Sequence, residues 1–158
     1  MNYFVCILIG IVVLLGVDRV YHRVNLSPGL KQEQVNKAQV LKTFAWFNQH
    51  TTPDSQLVLS KDMVAEYFTK DAKMITNGQL VCSGIDEHLI HFREFQEKLY
   101  SMQIGEFIHV AAKEDKVYLR YTINIEKAKN QKDTVHVAGY MTLQNGKISE
   151  FNEVIHHS

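Results

Sequence analysis

Tyr121, His136 and Glu150 are the residues of this chain best suited by type to proton-transfer chemistry. A glutamate removed from water without a cationic partner holds its proton more tightly, so it can act as acid or base near neutrality. A tyrosine hydroxyl can donate to a developing oxyanion, and a histidine titrates close to physiological pH. The same residues more often serve as a rim carboxylate paired with Lys or Arg, a core phenol and a surface imidazole. Strand alternation separates these roles, because alternate residues share a face. In 116–126, Val117, Leu119, Tyr121, Ile123 and Ile125 form the apolar face, and Tyr118, Arg120, Thr122, Asn124 and Glu126 form the other. In 134–144, Val135, Val137, Gly139, Met141 and Leu143 align, which leaves His136 and Tyr140 on the more polar side. The last run is ambiguous: Ile148, Glu150, Asn152 and Val154 stand opposite Ser149, Phe151, Glu153 and Ile155. With Ile148 pointing inward, Glu150 and Asn152 point inward as well.

Other chemistry is poorly supported. His88 and His91 form H-x-x-H at a spacing that can chelate, but no Glu completes H-E-x-x-H and no third ligand is evident. The pair is expected at a core edge or on the surface, and no metal site is expected. Cys6 and Cys82 are the only cysteines, one in an apolar N-terminal run and one in a strand, so no disulfide framework is expected. There is no G-x-G-x-x-G, Walker A, G-x-S-x-G or paired C-x-x-C, and no cofactor is expected. Lys plus Arg and Asp plus Glu number 17 each, so no basic surplus points to nucleic acid.

The elements that must position these groups follow from the pattern of the 158 residues, 46% apolar and 22% charged. Tyr3 to Val17 is an uncharged apolar run, followed by Arg19 and Arg23. Residues 1–24 are read as an uncleaved membrane anchor with the following domain toward the cytoplasm. Export after signal cleavage is the alternative, although no positive residues precede the run and no clear cleavage site follows. Residues 25–31, with Ser27, Pro28 and Gly29, are a linker, and 32–158 form one domain. Within it Gln32 to Gln49 has Val40, Phe44 and Phe47 at helical spacing. Ser60 is a candidate N-cap for a helix over 61–68, and Gly84 leads into a helix over 86–100. Asn77-Gly78 and Asn145-Gly146 are hairpin turns. Strands are expected over 73–76, 79–83, 106–113, 116–126, 134–144 and 147–156. The order is ααββαββββ, an α+β domain with a mostly antiparallel sheet curved around its helices.

The segments EYFTKDAKMITNGQLVCSGIDEHLIHF and YMTLQNGKISEFNEVI resemble the NTF2-like superfamily, and within it the SnoaL-like and ketosteroid-isomerase-like branch. The points of likeness are Phe68 with Asp71-Ala72, Gly84 opening a helix, and Gly146-Lys147-Ile148 on the final strand. The likeness covers about residues 32 to 156. It implies a conical fold with an apolar pocket lined by a few polar groups. In the isomerases of this branch a first-strand carboxylate is the base and a carboxyl on the penultimate strand helps to hold the oxyanion. Here those places fall near Thr76 and near Gly139 or Tyr140, none of them acidic.

The resulting expectation is a small-apolar-ligand-binding or protein-interaction module tethered at a membrane through residues 3–17, homodimeric through the exposed sheet face around Tyr118, Arg120 and Thr122. The missing first-strand carboxylate weighs against an enzyme. The alternative is a cofactor-independent isomerase, cyclase, dehydratase or hydrolase that uses Glu150, Tyr121 or His136 as acid or base. Tyr67, Phe92, Tyr140 and Asn152 would line the ligand space.

Overall fold

The computed structural model describes residues 27–50, 58–98, 101–128 and 131–157. The apolar run 3–17, the break at 51–55 and Leu99 lie outside the described residues. Among the described residues no helix is long and apolar enough to cross a membrane.

The expected order of elements is observed: α1 (Pro28–His50), α2 (Lys61–Tyr67), β1 (Phe68–Thr76), β2 (Gln79–Ser83), α3 (Gly84–Lys98), β3 (Ser101–Lys113), β4 (Lys116–Ala128), β5 (Gln131–Gln144) and β6 (Lys147–His157). The first helix begins at Pro28, inside the stretch read as linker. Proline suits the first helical turn, where its missing N–H costs no bond. Ser27 precedes it and accepts from the Leu30 and Lys31 amides. Ser60 caps α2 as expected, its side chain accepting from the Met63 amide.

The six strands lie in the order β2-β1-β6-β5-β4-β3. All neighbours are antiparallel except β1 and β6, which run parallel. The sheet is therefore mixed, and its long strands curve around α1 and α3. Val40, Phe44 and Phe47 of α1 and Phe92 of α3 are buried against Val117, Leu119 and Tyr121 of β4 and Val135, Val137 and Met141 of β5. The alternation read from β4 and β5 holds.

Departures from regular pairing shape the concave face. In β3 the register slips between Ile104 and Phe107 and again between Phe107 and His109, which bends this edge strand. Its free edge is partly closed by Asn48 of α1, whose amide donates to the Ile104 carbonyl at 3.0 Å and accepts from the Ile104 amide at 2.7 Å. That side chain stands in for a neighbouring strand and blunts the edge.

In β6 the register slips between the pairs Thr142–Glu150 and Leu143–Ile148, leaving Ser149 without a partner. The Ser149 hydroxyl donates to the Thr142 carbonyl across this bulge at 3.1 Å. One extra residue reverses the alternation. Ile148 is buried, but beyond the bulge Phe151 and Glu153 are buried too. The expectation that Glu150 and Asn152 share the inner face with Ile148 is thereby corrected: both lie on the opposite face.

Candidate functional site

A cavity of about 410 Å³ opens between the concave face of the sheet and the helices α1 and α3. Its wall is mostly apolar: Phe44, Phe47, Phe92, Phe95 and Phe151 supply rings, and Met74, Met102, Ile104, Ile123 and Ile125 supply aliphatic surface. Polar side chains enter from three places: Thr76 at the end of β1, Tyr121 and Glu153 from β4 and β6, and His91 and Glu94 from α3.

Glu153 is buried, with 4% of its surface exposed. It accepts two hydrogen bonds, from Tyr121 OH to Oε2 at 3.0 Å and from Thr76 Oγ1 to Oε1 at 3.1 Å. Burial pushes its carboxyl above the ordinary glutamate range, and the two donated bonds only partly offset that. Tyr121 is held well above the usual phenol range, first by burial and then by the neighbouring Glu153 charge, so it stays a donor. Its ring packs on Phe44, with centroids 4.9 Å apart, which fixes the direction of the hydroxyl.

Local sequence explains how Glu153 is aimed. Asn77-Gly78 takes positive φ at both residues, as the tight hairpin turn requires. The turn then reaches across to β6: the Asn77 amide donates to the Glu153 carbonyl at 2.9 Å, and Asn77 Oδ1 accepts from the Ile155 amide at 2.9 Å. The turn that joins β1 and β2 thus holds β6 at the acidic residue itself and two residues beyond it. On the other flank Gly139 of β5 stands directly opposite Glu153.

Of the residues singled out from sequence, the structure brings Tyr121 and Phe92 to the cavity. Glu150 lies on the convex face and accepts from Tyr140 OH at 2.8 Å, with Asn152 donating to the same phenol oxygen at 3.4 Å. Lys116 sits over the Tyr140 ring at 4.8 Å. Glu150, Tyr140 and Asn152 therefore form a cluster on the convex sheet face, away from the cavity, because of the Ser149 bulge. His136 is exposed on that convex face, opposite His156. Tyr67 is buried but stacks on Trp46 at 5.0 Å and does not line the cavity.

Glu153 is the site residue that strand alternation does not single out, although Phe151-x-Glu153-x-Ile155 is the second parity of β6. Thr76 falls where related isomerases are expected to hold their base, and it does reach the cavity, as a hydrogen-bond donor to the carboxyl. His91 lines the cavity, while His88 is fully buried. His88 Nδ1 lies 2.8 Å from the Gly84 carbonyl, and the ring packs on Phe68 at 4.9 Å. Burial holds its imidazole below the ordinary range, with the Gly84 bond and Glu87 acting the other way. Among the described residues no three His, Cys, Asp or Glu side chains group to hold a metal ion. Cys82 is a buried thiol pushed up to about 12, chiefly by burial, and so is a poor nucleophile.

No family profile and no curated protein sequence matches the chain. Solved structures do. A protein from a Jannaschia species, provisionally named a SnoaL-like polyketide cyclase, superposes with a TM-score of 0.64 at 18% identity, over 82% of this chain and 89% of that one. An LEH-like epoxide hydrolase from M. tuberculosis gives 0.64 at 12% identity, over 79% and 85%. An NTF2-like protein from Anabaena variabilis gives 0.61 at 14% identity, over 78% and 92%. At such identities the likeness speaks for architecture and leaves chemistry to the site itself. The three helices and the curved six-stranded sheet of the described residues, with these neighbours, show that the chain has the NTF2-like fold, as the segments around Asp71-Ala72 and Gly146-Lys147-Ile148 implied.

Proposed function

We propose that the cavity binds a small apolar molecule and that Glu153 moves a proton to or from it. The observation that carries this reading is the Tyr121–Glu153–Thr76 constellation, a carboxyl buried in an apolar cavity with a raised proton affinity and two fixed donors. A carboxylate that is poorly solvated is a stronger base than one in water, and Tyr121 holds it in one orientation. A buried ionisable group costs stability, and groups with shifted proton affinity concentrate at functional sites. The similar structures named as a cyclase and as an epoxide hydrolase support the reading by analogy of fold. The acid–base role expected of Glu150 passes to Glu153, three residues along β6. Residues 3–17 are proposed as a membrane anchor, which their apolar length and the Arg19 and Arg23 that follow support.

A neutral probe tests the base directly. In 5-nitrobenzisoxazole a base removes the ring C–H proton, the carbon–nitrogen bond gains order and the N–O bond breaks, releasing a coloured cyanophenolate. Saturable turnover is expected, with kcat/KM falling by on the order of 100-fold or more in Glu153→Gln. Turnover that survives this substitution would remove Glu153 from the chemistry.

A second surface supports self-association. The convex face exposes Tyr118 at 43% and Val154 at 58%, large apolar side chains in the middle strands of the sheet. We propose that a second copy covers them. Light scattering after size exclusion should give a dimer mass, reduced toward the monomer by Val154→Lys with Tyr118→Lys. A wild-type monomer at high concentration would overturn the dimer.

A further inference from the structure

We propose that the ligand class of the cavity is the hydrophobic amine, bound as its ammonium ion with the cation against Glu153 and the hydrocarbon body among the aromatic rings. This rests on the cavity being the ligand site, as proposed above, and adds the charge of its occupant. The charged groups that face the cavity set the sign of its occupant. Glu153 and Glu94 both line it, and no Lys or Arg lines it among the described residues. A carboxylate ligand would have to enter against the buried Glu153 carboxyl with no lysine or arginine to receive it. A neutral ligand would leave Glu153 buried with only the Thr76 and Tyr121 hydroxyls as partners. An ammonium ion supplies the missing opposite charge and a further donor to a carboxylate that still has acceptor capacity.

The walls suit the same ion. Phe44, Phe151 and Tyr121 form an aromatic cluster with Phe44 at its centre, edge-to-face with Phe151 at 6.2 Å between centroids and tilted against Tyr121 at 4.9 Å. The faces of such rings attract a desolvated cation. The remaining titratable side chain on the wall, His91 of α3, is half-buried beside Phe95, with ring centroids 4.5 Å apart. The space of about 410 Å³ takes a compact hydrocarbon of drug-fragment size.

Three probes of nearly equal shape separate the possibilities: 1-adamantylmethylamine, 1-adamantanemethanol and 1-adamantanecarboxylate, each titrated calorimetrically into the full chain at neutral pH. The amine should bind about tenfold or more tighter than the alcohol, and the carboxylate weakest. In Glu153→Gln the amine's advantage over the alcohol should vanish, and measurable binding of the alcohol to the variant shows that the cavity is intact. In Glu94→Gln the advantage should persist. Equal binding of amine and alcohol to the wild type would overturn the amine inference and leave the apolar cavity standing. An advantage that follows Glu94 and not Glu153 would overturn it as well. Failure of all three probes to bind would overturn both this inference and the ligand site on which it rests. The wild-type ranking needs no variant, so a poorly folding substitution cannot mask the result.

Discussion

Replacing Gly139 by alanine should cost about 3 kcal/mol and lower the melting temperature by about 10 °C, because the new methyl has nowhere to go. A Cβ built at this position would lie 2.2 Å from the Asn152 carbonyl oxygen and 2.8 Å from the Glu153 Cα. Both are backbone atoms of β6, so no side-chain rotation relieves the clash. The strands must move apart at the pair Gly139–Glu153, and the carboxyl moves with its backbone. The loss should therefore appear twice: as lower stability, and as weaker turnover of the benzisoxazole probe in whatever fraction stays folded. Gly29 is the matched control. It lies in the first turn of α1, where an added methyl would meet nothing within 4 Å, and alanine there should leave the melting temperature unchanged or slightly raised. An equal response at the two positions would mean that the close approach of β5 and β6 is not what Gly139 provides.

The contrast between β4 and β6 shows what could be read from sequence and what could not. The alternation of β4 placed Tyr121 correctly, because an unbroken ladder keeps the period of two from Val117 to Ile125. The same rule failed in β6 for a definite reason. A bulge at Ser149 shifts the period by one, and a single serine carries no signal strong enough to mark it. The consequence is an exchange of carboxylates: an inward Ile148 would bring Glu150 inside with it, whereas Ile148 and Glu153 are both buried. Only the fact that both faces of this strand are half apolar hinted that something interrupted it. Fold-level features were more robust, since Asn77-Gly78, Asn145-Gly146 and Ser60 act through local backbone chemistry that survives any register. The role of Asn77 in clamping β6 was not legible at all, because it depends on β1 and β6 lying side by side although about seventy residues separate them in sequence. His88 illustrates the same limit. Its position beside Phe92 on α3 suggested a core edge, but full burial requires Phe68 from β1 to cover it.

Glu153 should leave a signature in the pH dependence of stability, and Glu153→Gln should erase it. Burial raises its carboxyl above the ordinary value of 4.5, so the folded chain keeps a proton that the unfolded chain has released. Stability from this group is full below the ordinary carboxylate range and is lost as pH rises through the folded value. Each unit by which the folded value exceeds the unfolded one removes about 1.4 kcal/mol by the time the group is ionised. His88 slopes the other way. Its folded value lies below 6.5, so its contribution is full above that pH and lost as pH falls toward the folded value. The wild-type profile is the sum of the two opposed slopes, and the glutamine variant should retain only the rising one. The readout is the change with pH in the difference between wild type and variant, from urea unfolding at several pH values between about 4 and 9, which spans both ordinary ranges. A constant offset reports only how well the amide fits beside Tyr121 and Thr76. Tyr121→Phe should act in the opposite sense, lengthening the interval over which stability falls, because it removes one of the two hydrogen bonds that favour the ionised carboxyl. The same ionisation must govern proton abstraction from the benzisoxazole, where only the carboxylate form is a base. The midpoint of kcat/KM against pH, which reports the free protein, should then coincide with the upper end of the stability loss and move upward with it in Tyr121→Phe. Two midpoints that move independently would mean that the buried carboxyl and the working base are different groups.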